Sequence, residues 1–326
     1  MQDLINKIHH ADCLEFIKQL PDKCIDLVLT DPPYFRVVAQ EWDRQWKSIF
    51  DFQAWCGVIG KELQRVMKDN AALYWFGDDK TIAYCQTELD KTFALVNSLV
   101  WQKPATLAVK GYARNRSFAC VSERVLFYEQ QNAAGLPATG LEQIHSRPDL
   151  FLSVKTYLRQ ERDKLMQAKG FKTKKETHDF LSQHLGHCAH SHYFADSQFE
   201  IPNAQNYSKL QETGFFRREY EDLRREYEDL RREWNPTPEA TDVLTYNLTP
   251  AQIHPTQKPV PLISFLMERA SRPDALVFDP FAGSGTTAVA AYRLGRRFIC
   301  CEKNKEYHAA ASRRIEDEMK QQMLNF

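Results

Sequence analysis

Two apolar runs near opposite ends of the chain each stop at a tight polar turn, and this pairing constrains the fold more than any other feature. The first run, Ile25-Asp26-Leu27-Val28-Leu29-Thr30, ends in Asp31-Pro32-Pro33-Tyr34. The second, Ala275-Leu276-Val277-Phe278-Asp279, ends in Pro280-Phe281-Ala282-Gly283-Ser284-Gly285-Thr286-Thr287. Short apolar runs bounded by Gly and Pro read as fully buried strands. Such strands belong to parallel sheets covered by helices on both faces.

The flanking sequence agrees. Further strands are expected at residues 7–11, 71–76, 97–101, 124–129 and 297–302, and helices at 13–20, 50–67, 261–270, 285–294 and 304–320. Within 50–67, Trp55, Ile59, Leu63 and Val66 fall on one helical face. Strands separated by helices predict an α/β fold with a doubly wound, mostly parallel sheet. Residues 131–138 read as a linker, and from about 150 to 235 the composition turns polar and helical. The expected organisation is one half of the α/β domain at 1–130, a helical insert at 131–245 and the second half at 246–326.

The length, 326 residues, accommodates one such domain plus an insert. The formal net charge is zero, so a surface for a polyanion has to be local. No run of 18 apolar residues and no basic-then-apolar leader is present, so neither a membrane span nor a secretory signal is expected. Eight cysteines, with Cys300-Cys301 inside an apolar run, read as reduced residues of a cytoplasmic protein.

Each turn suggests a chemistry. Gly283 and Gly285 permit positive φ and close approach of backbone to a ligand. The helix that begins at Thr286 and Thr287 offers unpaired N–H groups to an anion. Glu302 closes the following strand, where a carboxylate suits the hydroxyls of a ribose. In the other turn the Asp31 carboxylate and the Pro32 carbonyl are two acceptors on a stiff backbone, able to hold both hydrogens of an amine. Tyr34 adds a flat face for a ring.

The two motifs, in this order, resemble the β-class DNA amino-methyltransferases, over roughly residues 5–130 and 245–315. That order is a circular permutation of the common methyltransferase chain. The resemblance implies S-adenosylmethionine as methyl donor and an exocyclic base nitrogen as acceptor. It carries the catalytic positions onto Asp31, Pro32, Pro33 and Tyr34, with a flipped base on Tyr34. It carries cofactor contacts onto Asp12, Asp279, Phe281, Gly283, Ser284, Gly285, Thr286 and Glu302, and onto Thr256 and Lys258 of His254-Pro255-Thr256-Gln257-Lys258-Pro259. Phe35 stands where the family often has Asn. An initial Asp leans to adenine N6 and an initial Ser to cytosine N4; the N4 reaction stays open, as does a regulator that has kept the fold but lost catalysis. A protein or RNA amide methyltransferase would more often carry Asn before Pro-Pro-Tyr.

The partner implied is double-stranded DNA, with a cognate restriction enzyme as an open further one. Two stretches are locally basic. Residues 155–175 hold eight Lys or Arg against two acidic residues, Lys172, Lys174 and Lys175 among them. Residues 101–124 hold Lys103, Lys110, Arg114, Arg116 and Arg124 against Glu123. Both are expected at phosphates, with the insert, similar to the helix-turn-helix-like insert of some phage-type adenine methyltransferases, reading bases. Residues 218–234 repeat Arg-Glu-Tyr-Glu-Asp-Leu-Arg, placing Tyr220, Leu223, Tyr227, Leu230 and Trp234 at heptad spacing, with Glu221–Arg225 and Glu228–Arg232 as supporting pairs. The run is too short for a solitary coiled coil and packs on the body or on a second copy, a homodimer. His178, His184, His187, Cys188, His190 and His192 complete no standard zinc spacing, so no metal is expected; these residues are read as helix-end and DNA-facing groups.

Overall fold

The computed structural model describes residues 1–103, 118, 120–130, 151–195, 199–230, 232–249 and 253–324. In chain order the elements are β1 (Lys7–His10), α1 (Cys13–Ile17), β2 (Ile25–Thr30), α2 (Ile49–Val66), β3 (Met67–Gly77), α3 (Ile82–Leu89), β4 (Phe93–Gln102), β5 (Ser122–Gln130), α4 (Leu152–Lys169), α5 (Lys174–Leu185), α6 (Ala204–Glu212), α7 (Tyr220–Leu230), β6 (Val243–Thr245), α8 (Val260–Ala270), β7 (Leu276–Asp279), α9 (Thr286–Arg293), β8 (Arg297–Glu302) and α10 (Lys305–Leu324). They form two compact units, residues 1–131 with 233–326, and residues 132–232. The expected linker at 131–138 lies outside the described residues.

The first unit is built on an eight-stranded sheet of order β1-β8-β7-β2-β3-β5-β4-β6. Pairing is parallel from β1 through β8, β7 and β2 to β3, and again between β4 and β6. Strand β5 runs antiparallel to both β3 and β4. The expected α/β, mostly parallel sheet is therefore present, with one reversed strand. All seven expected strands form; β6, three residues long, and α3 were not foreseen.

Alternation along the strands sends successive side chains to opposite faces. Leu27 and Leu29 join one core with Leu262, Leu266, Val289 and Ile315, under α8, α9 and α10. Val28, Leu73 and Trp75 join the other with Phe16, Ile59, Leu63 and Leu89, under α1, α2 and α3. Helix α2 starts from a capping box in which Ser48 and Asp51 bond each other's backbone N–H. Its buried face is Phe52, Cys56, Ile59, Leu63 and Val66.

Strands β2 and β7 lie side by side, with Leu27 opposite Val277 and Val28 opposite Phe278. From β2 the chain moves to β3 on one side; from β7 it moves to β8 on the other. Such a reversal opens a crevice at the carboxyl ends of the strands, where open α/β sheets bind ligands. Both motif turns leave the sheet there.

The second unit packs α4, α5, α6 and α7 around Val154, Leu158, Leu165, Leu181, Leu185, Tyr207, Leu210, Phe216, Leu223 and Tyr227. Helix α4 ends at Gly170, with φ 71°, a left-handed C-cap. The tandem repeat resolves differently from a heptad stripe. Leu223 and Tyr227 enter this unit's own core, α7 ends at Leu230, and Trp234 belongs to the other unit, stacked on Phe127 at 5.7 Å. The repeat thus packs on the body. Arg225 approaches Asp222 at 3.8 Å and Arg224 bonds Glu221 at 2.8 Å, so spacing i,i+3 replaces the expected Glu221–Arg225 pairing. Among the described residues, no helix is long and apolar enough to cross a membrane.

Candidate active site

The acceptor-type turn follows β2 directly. Asp31, Pro32, Pro33 and Tyr34 line a cavity of about 1010 Å³. The turn is held from below by Asp43, which is fully buried and accepts hydrogen bonds from Tyr34 N (2.8 Å), Val37 N (2.6 Å) and Val38 N (2.8 Å). Three amides on one carboxylate pin a segment in which Phe35 and Arg36 both have positive φ, 67° and 62°. Phe35, where a polar residue was expected from the family pattern, stacks on Phe52 at 5.8 Å under the Arg36 guanidinium at 4.9 Å. It serves packing at this position.

The glycine turn follows β7 and lines the same cavity. Asp279 is buried and accepts three hydrogen bonds: Oδ1 from Thr30 Oγ1 (3.1 Å) and Phe281 N (3.0 Å), and Oδ2 from Thr287 Oγ1 (2.6 Å). Burial raises its carboxyl to about 6. Asp279 therefore fastens β2, β7 and α9 together at the crevice. Ser284 and Thr286 are buried and bonded to each other at 3.0 Å, and the Arg314 guanidinium from α10 reaches Ser284 O (2.9 Å) and Thr286 Oγ1 (3.2 Å). The two glycines differ in purpose. A Cβ on Gly285 would sit 3.1 Å from Ile8 and 3.2 Å from Ala311, close enough that these neighbours would have to give by a few tenths of an ångström, and its φ of 75° adds to the need for glycine. At Gly283 a Cβ would meet His254 at an ordinary 3.5 Å, and the φ of 50° is what calls for glycine.

Glu302 closes β8 at the cavity wall. Its carboxylate accepts Gly283 N at 2.9 Å and Asn304 N at 2.7 Å, and burial raises its pKa. A carboxylate has about four acceptor positions, so a pair remains for hydroxyl donors. Asp12 caps α1 through Leu14 N at 3.0 Å, pairs with Lys303 at 3.1 Å and lines the cavity. Thr256 Oγ1 lies 3.1 Å from His254 Nδ1. The His254 ring packs edge-on against Tyr307 at 4.5 Å, and burial followed by the Lys258 charge lowers its pKa to about 4. A half-buried, half-paired carboxylate facing a glycine turn, with Asp12 on the same cavity, fits a nucleoside with an amino-acid tail.

Lys258 was expected at the methionine end of the donor. Its Nζ lies 2.5 Å from Asp31 Oδ2 and 3.3 Å from Glu123 Oε2, on the cavity that the glycine turn also lines. The Tyr34 hydroxyl donates to Asp31 Oδ1 (2.5 Å), with Glu123 Oε2 at 3.1 Å. Lys103 Nζ reaches Glu123 Oε1 at 2.5 Å, so this lysine, expected at phosphates, is engaged within the site. Burial raises Asp31 more than Lys258 and Tyr34 lower it. Burial acts to lower Lys258, but Asp31 and Glu123 outweigh it and its pKa rises. Glu123 and Asp43 line the cavity and Arg314 braces the glycine turn, and the sequence pattern assigned none of the three to the site.

Lys172, Lys174 and Lys175 are exposed around the start of α5, which Thr173 and Glu176 cap reciprocally. Lys110, Arg114 and Arg116 lie outside the described residues. Of the histidines, His190 turns inward: it is buried, bonds Ser182 Oγ at 2.9 Å and stacks near His178 at 4.7 Å. His184 bonds Lys209 O at 2.7 Å, tying α5 to α6. His184, in the last turn of α5, is a helix-end group as expected, whereas the buried His190 is not available to face DNA.

A permuted open sheet with a glycine turn and an Asp-Pro-Pro-Tyr turn on one cavity defines an α/β methyltransferase. The chain belongs to the N6/N4 DNA methylase family: the family model described as "DNA methylase" matches residues 25–313. It is accordingly a DNA methyltransferase dependent on S-adenosylmethionine. It is 26% identical over 308 residues to the type II methyltransferase M1.MboII of Moraxella bovis, covering 93% of this chain and 94% of that one. Its fold matches the M1.HpyAVI–SAM complex with a TM-score of 0.51 at 17% identity, over 95% and 98% of the two chains. It also matches the cytosine-N4-specific PvuII DNA methyltransferase, with a TM-score of 0.50 at 14% identity, over 96% and 91%.

Proposed function

We propose that the protein methylates N6 of adenine in duplex DNA at a specific site, with Asp31 and Pro32 as the acceptors that hold the amine. The observation that carries this reading is the Asp31 carboxylate, set by a rigid turn at the end of β2 on the cavity that Glu302 and Gly283 also line. An exocyclic amine is a poor nucleophile because its lone pair is delocalised into the ring. Two fixed acceptors on its hydrogens favour a pyramidal nitrogen with the lone pair free. Because Asp43 already holds the turn, little reorganisation accompanies the reaction. Pro32 and Pro33 are buried and exclude water from the amine. The Tyr34 ring supports a base taken out of the helix, while its hydroxyl, bonded to Asp31, fixes the carboxylate's orientation.

S-adenosylmethionine supplies an electrophilic methyl group on a sulfonium. Glu302, Asp12 and the Gly283–Thr286 turn are the residues proposed to hold it, with Thr256 beside His254. We assign DNA contacts to the helical unit through Lys172, Lys174 and Lys175, and the M1.MboII relative supports a restriction–modification setting with a cognate endonuclease. The likeness to the PvuII enzyme favours cytosine N4 as the second reading.

The test is Asp31→Ala. It should reduce tritiated-methyl incorporation into DNA by about a hundredfold or more and leave cofactor affinity within a few-fold. Appreciable turnover would refute the assignment. Sequencing that distinguishes N6-methyladenine from N4-methylcytosine, on DNA from cells expressing the chain, decides between the two bases.

A further inference from the structure

Lys258 is the most enclosed member of the charged group at the cavity. Its side chain is 5% exposed, against 22% for Asp31 and 15% for Glu123. The sequence pattern put it with the donor, and the transfer of the methyl group itself gives it no task. Its surroundings suggest one. Nζ touches Asp31 at 2.5 Å, stands 3.3 Å from Glu123, and lies over the rings of Tyr34 and Phe76 at 5.3 and 5.4 Å. Two carboxylates thus share one ammonium, and they share it unequally.

We propose that Lys258 and Glu123 are positioning residues that set the charge of Asp31: Lys258 holds it as a carboxylate, and Glu123, by competing for the same ammonium, limits that hold. The proposal rests on Asp31 as the acceptor for the base amine. The chemistry requires such a device. A buried carboxyl tends to take up a proton, and a protonated Asp31 would present an O–H donor where the amine needs an acceptor. A single ammonium in full contact would keep Asp31 ionised but would also weaken it as an acceptor. A second carboxylate at the far side of Lys258 moderates this.

The charged groups around Asp31 come from every neighbouring element. Glu123 is on β5, Lys103 follows β4, and Lys258 precedes α8. Asp279 on β7 feels the Asp31 charge, His254 feels Lys258, and Asp78, after β3, feels Glu123. Asp31 and Glu123 against Lys258 and Lys103 form a balanced set of two negative and two positive charges. Opposite signs follow for its two arms. Lys258 lowers the proton affinity of Asp31, whereas Glu123 raises it.

The experiment is the pH profile of single-turnover methylation of unmethylated bacterial genomic DNA by the full chain. Wild type should lose activity on the acid side as Asp31 takes up a proton. Lys258→Met should move that limb to higher pH by about one unit or more, Glu123→Gln should move it to lower pH, and Lys258→Arg should restore it toward wild type. Identical acid limbs in Lys258→Met and Glu123→Gln, or shifts of the same sign, would overturn the proposal. If Lys258→Met does not fold, the direction for Glu123→Gln decides alone. Carboxyl 13C NMR of labelled aspartate, with Asp31 assigned through Asp31→Asn, separates the two claims. If the Asp31 resonance does not move between variants, the charge-setting role fails. If it moves as stated while methylation does not follow it, the reading of Asp31 as acceptor fails.

Discussion

The two units bury charged side chains in opposite ways. In the helical unit, Glu161 is 6% exposed and spends its carboxylate on the fold: Oε2 accepts Phe216 N at 2.9 Å and Oε1 takes Lys164 at 2.5 Å. Phe216 has a φ of 58° and is fully buried, so Glu161 anchors a strained turn inside an apolar core. In the α/β unit, Asp31, Glu123, Lys258 and Lys103 bond chiefly to one another, around a cavity. Buried charge that satisfies backbone stabilises one shape. Charge paired with other charge beside a cavity can exchange partners when a ligand arrives. The difference marks where a ligand can act more clearly than burial does, since both groups are largely withdrawn from solvent.

The comparison predicts that each unit can be damaged without the other. The largest effect is expected in the helical core, where Leu158 is fully buried. Leu158→Ala should cost about 2–5 kcal/mol of that unit's stability. Calorimetric unfolding should show an earlier transition, while cofactor affinity stays at the wild-type value; a parallel fall in affinity would show that the units unfold as one. The converse damage is Glu302→Ala, which should weaken S-adenosylmethionine binding by about 1–3 kcal/mol, the scale for losing a charged acceptor. Titration calorimetry measures it, and the helical unit's transition should not move.

Acid should separate the units as well. Burial holds His190 neutral and lowers its pKa from an ordinary 6.5 to about 4. A histidine depressed in the folded state favours folding above its unfolded pKa, and that contribution is lost as pH falls from 6.5 through about 4. The helical unit's transition should therefore drop over this window, and His190→Leu should flatten the drop. An unchanged acid response in the variant would place the sensitivity elsewhere. The smallest effect concerns DNA. Neutralising Lys172, Lys174 and Lys175 together should flatten the salt dependence of binding by about 0.9 in log–log slope for each phosphate that is no longer neutralised, with cofactor affinity unaltered. A slope that stays put would leave these lysines facing solvent only.

The parts legible in the sequence are those in which local pattern and final environment agree. Strands β2 and β7 are continuous apolar runs because helices cover both their faces, and their turns announce themselves through Pro and Gly. Asp31 and Glu302 stand out because each closes such a strand. Glu123 does not. It lies in an ordinary strand, β5, and acquires meaning from Tyr34, 89 residues away, and from Lys258. Lys258 is visible in its motif, but only the folded chain shows that it spans 227 residues to reach Asp31. Helix α3, eight residues long, buries Ile82, Cys85 and Leu89 on one side, too short a run to stand out. The tandem repeat misleads for a related reason. Its period is regular beyond the end of α7, but the helix stops at Leu230 and Trp234 is left exposed, with its ring against Phe127 of the other unit.

The hydrogen bond from Thr30 to Asp279 joins residues 249 positions apart, and it says something about how the molecule is made. Strand β2 has β3 close behind it in the chain, but its other neighbour, β7, is synthesised only after the whole helical unit. Strand β1, which precedes β2 in the chain, pairs with β8, which follows β7. Until then one edge of β2 and all of β1 stay unzipped, open to the edge-to-edge association that growing chains risk. The helical unit, whose contacts are local, can close while the sheet is still waiting. The crevice where β2 meets β7 thus comes into existence only after the helical unit that separates them in the chain.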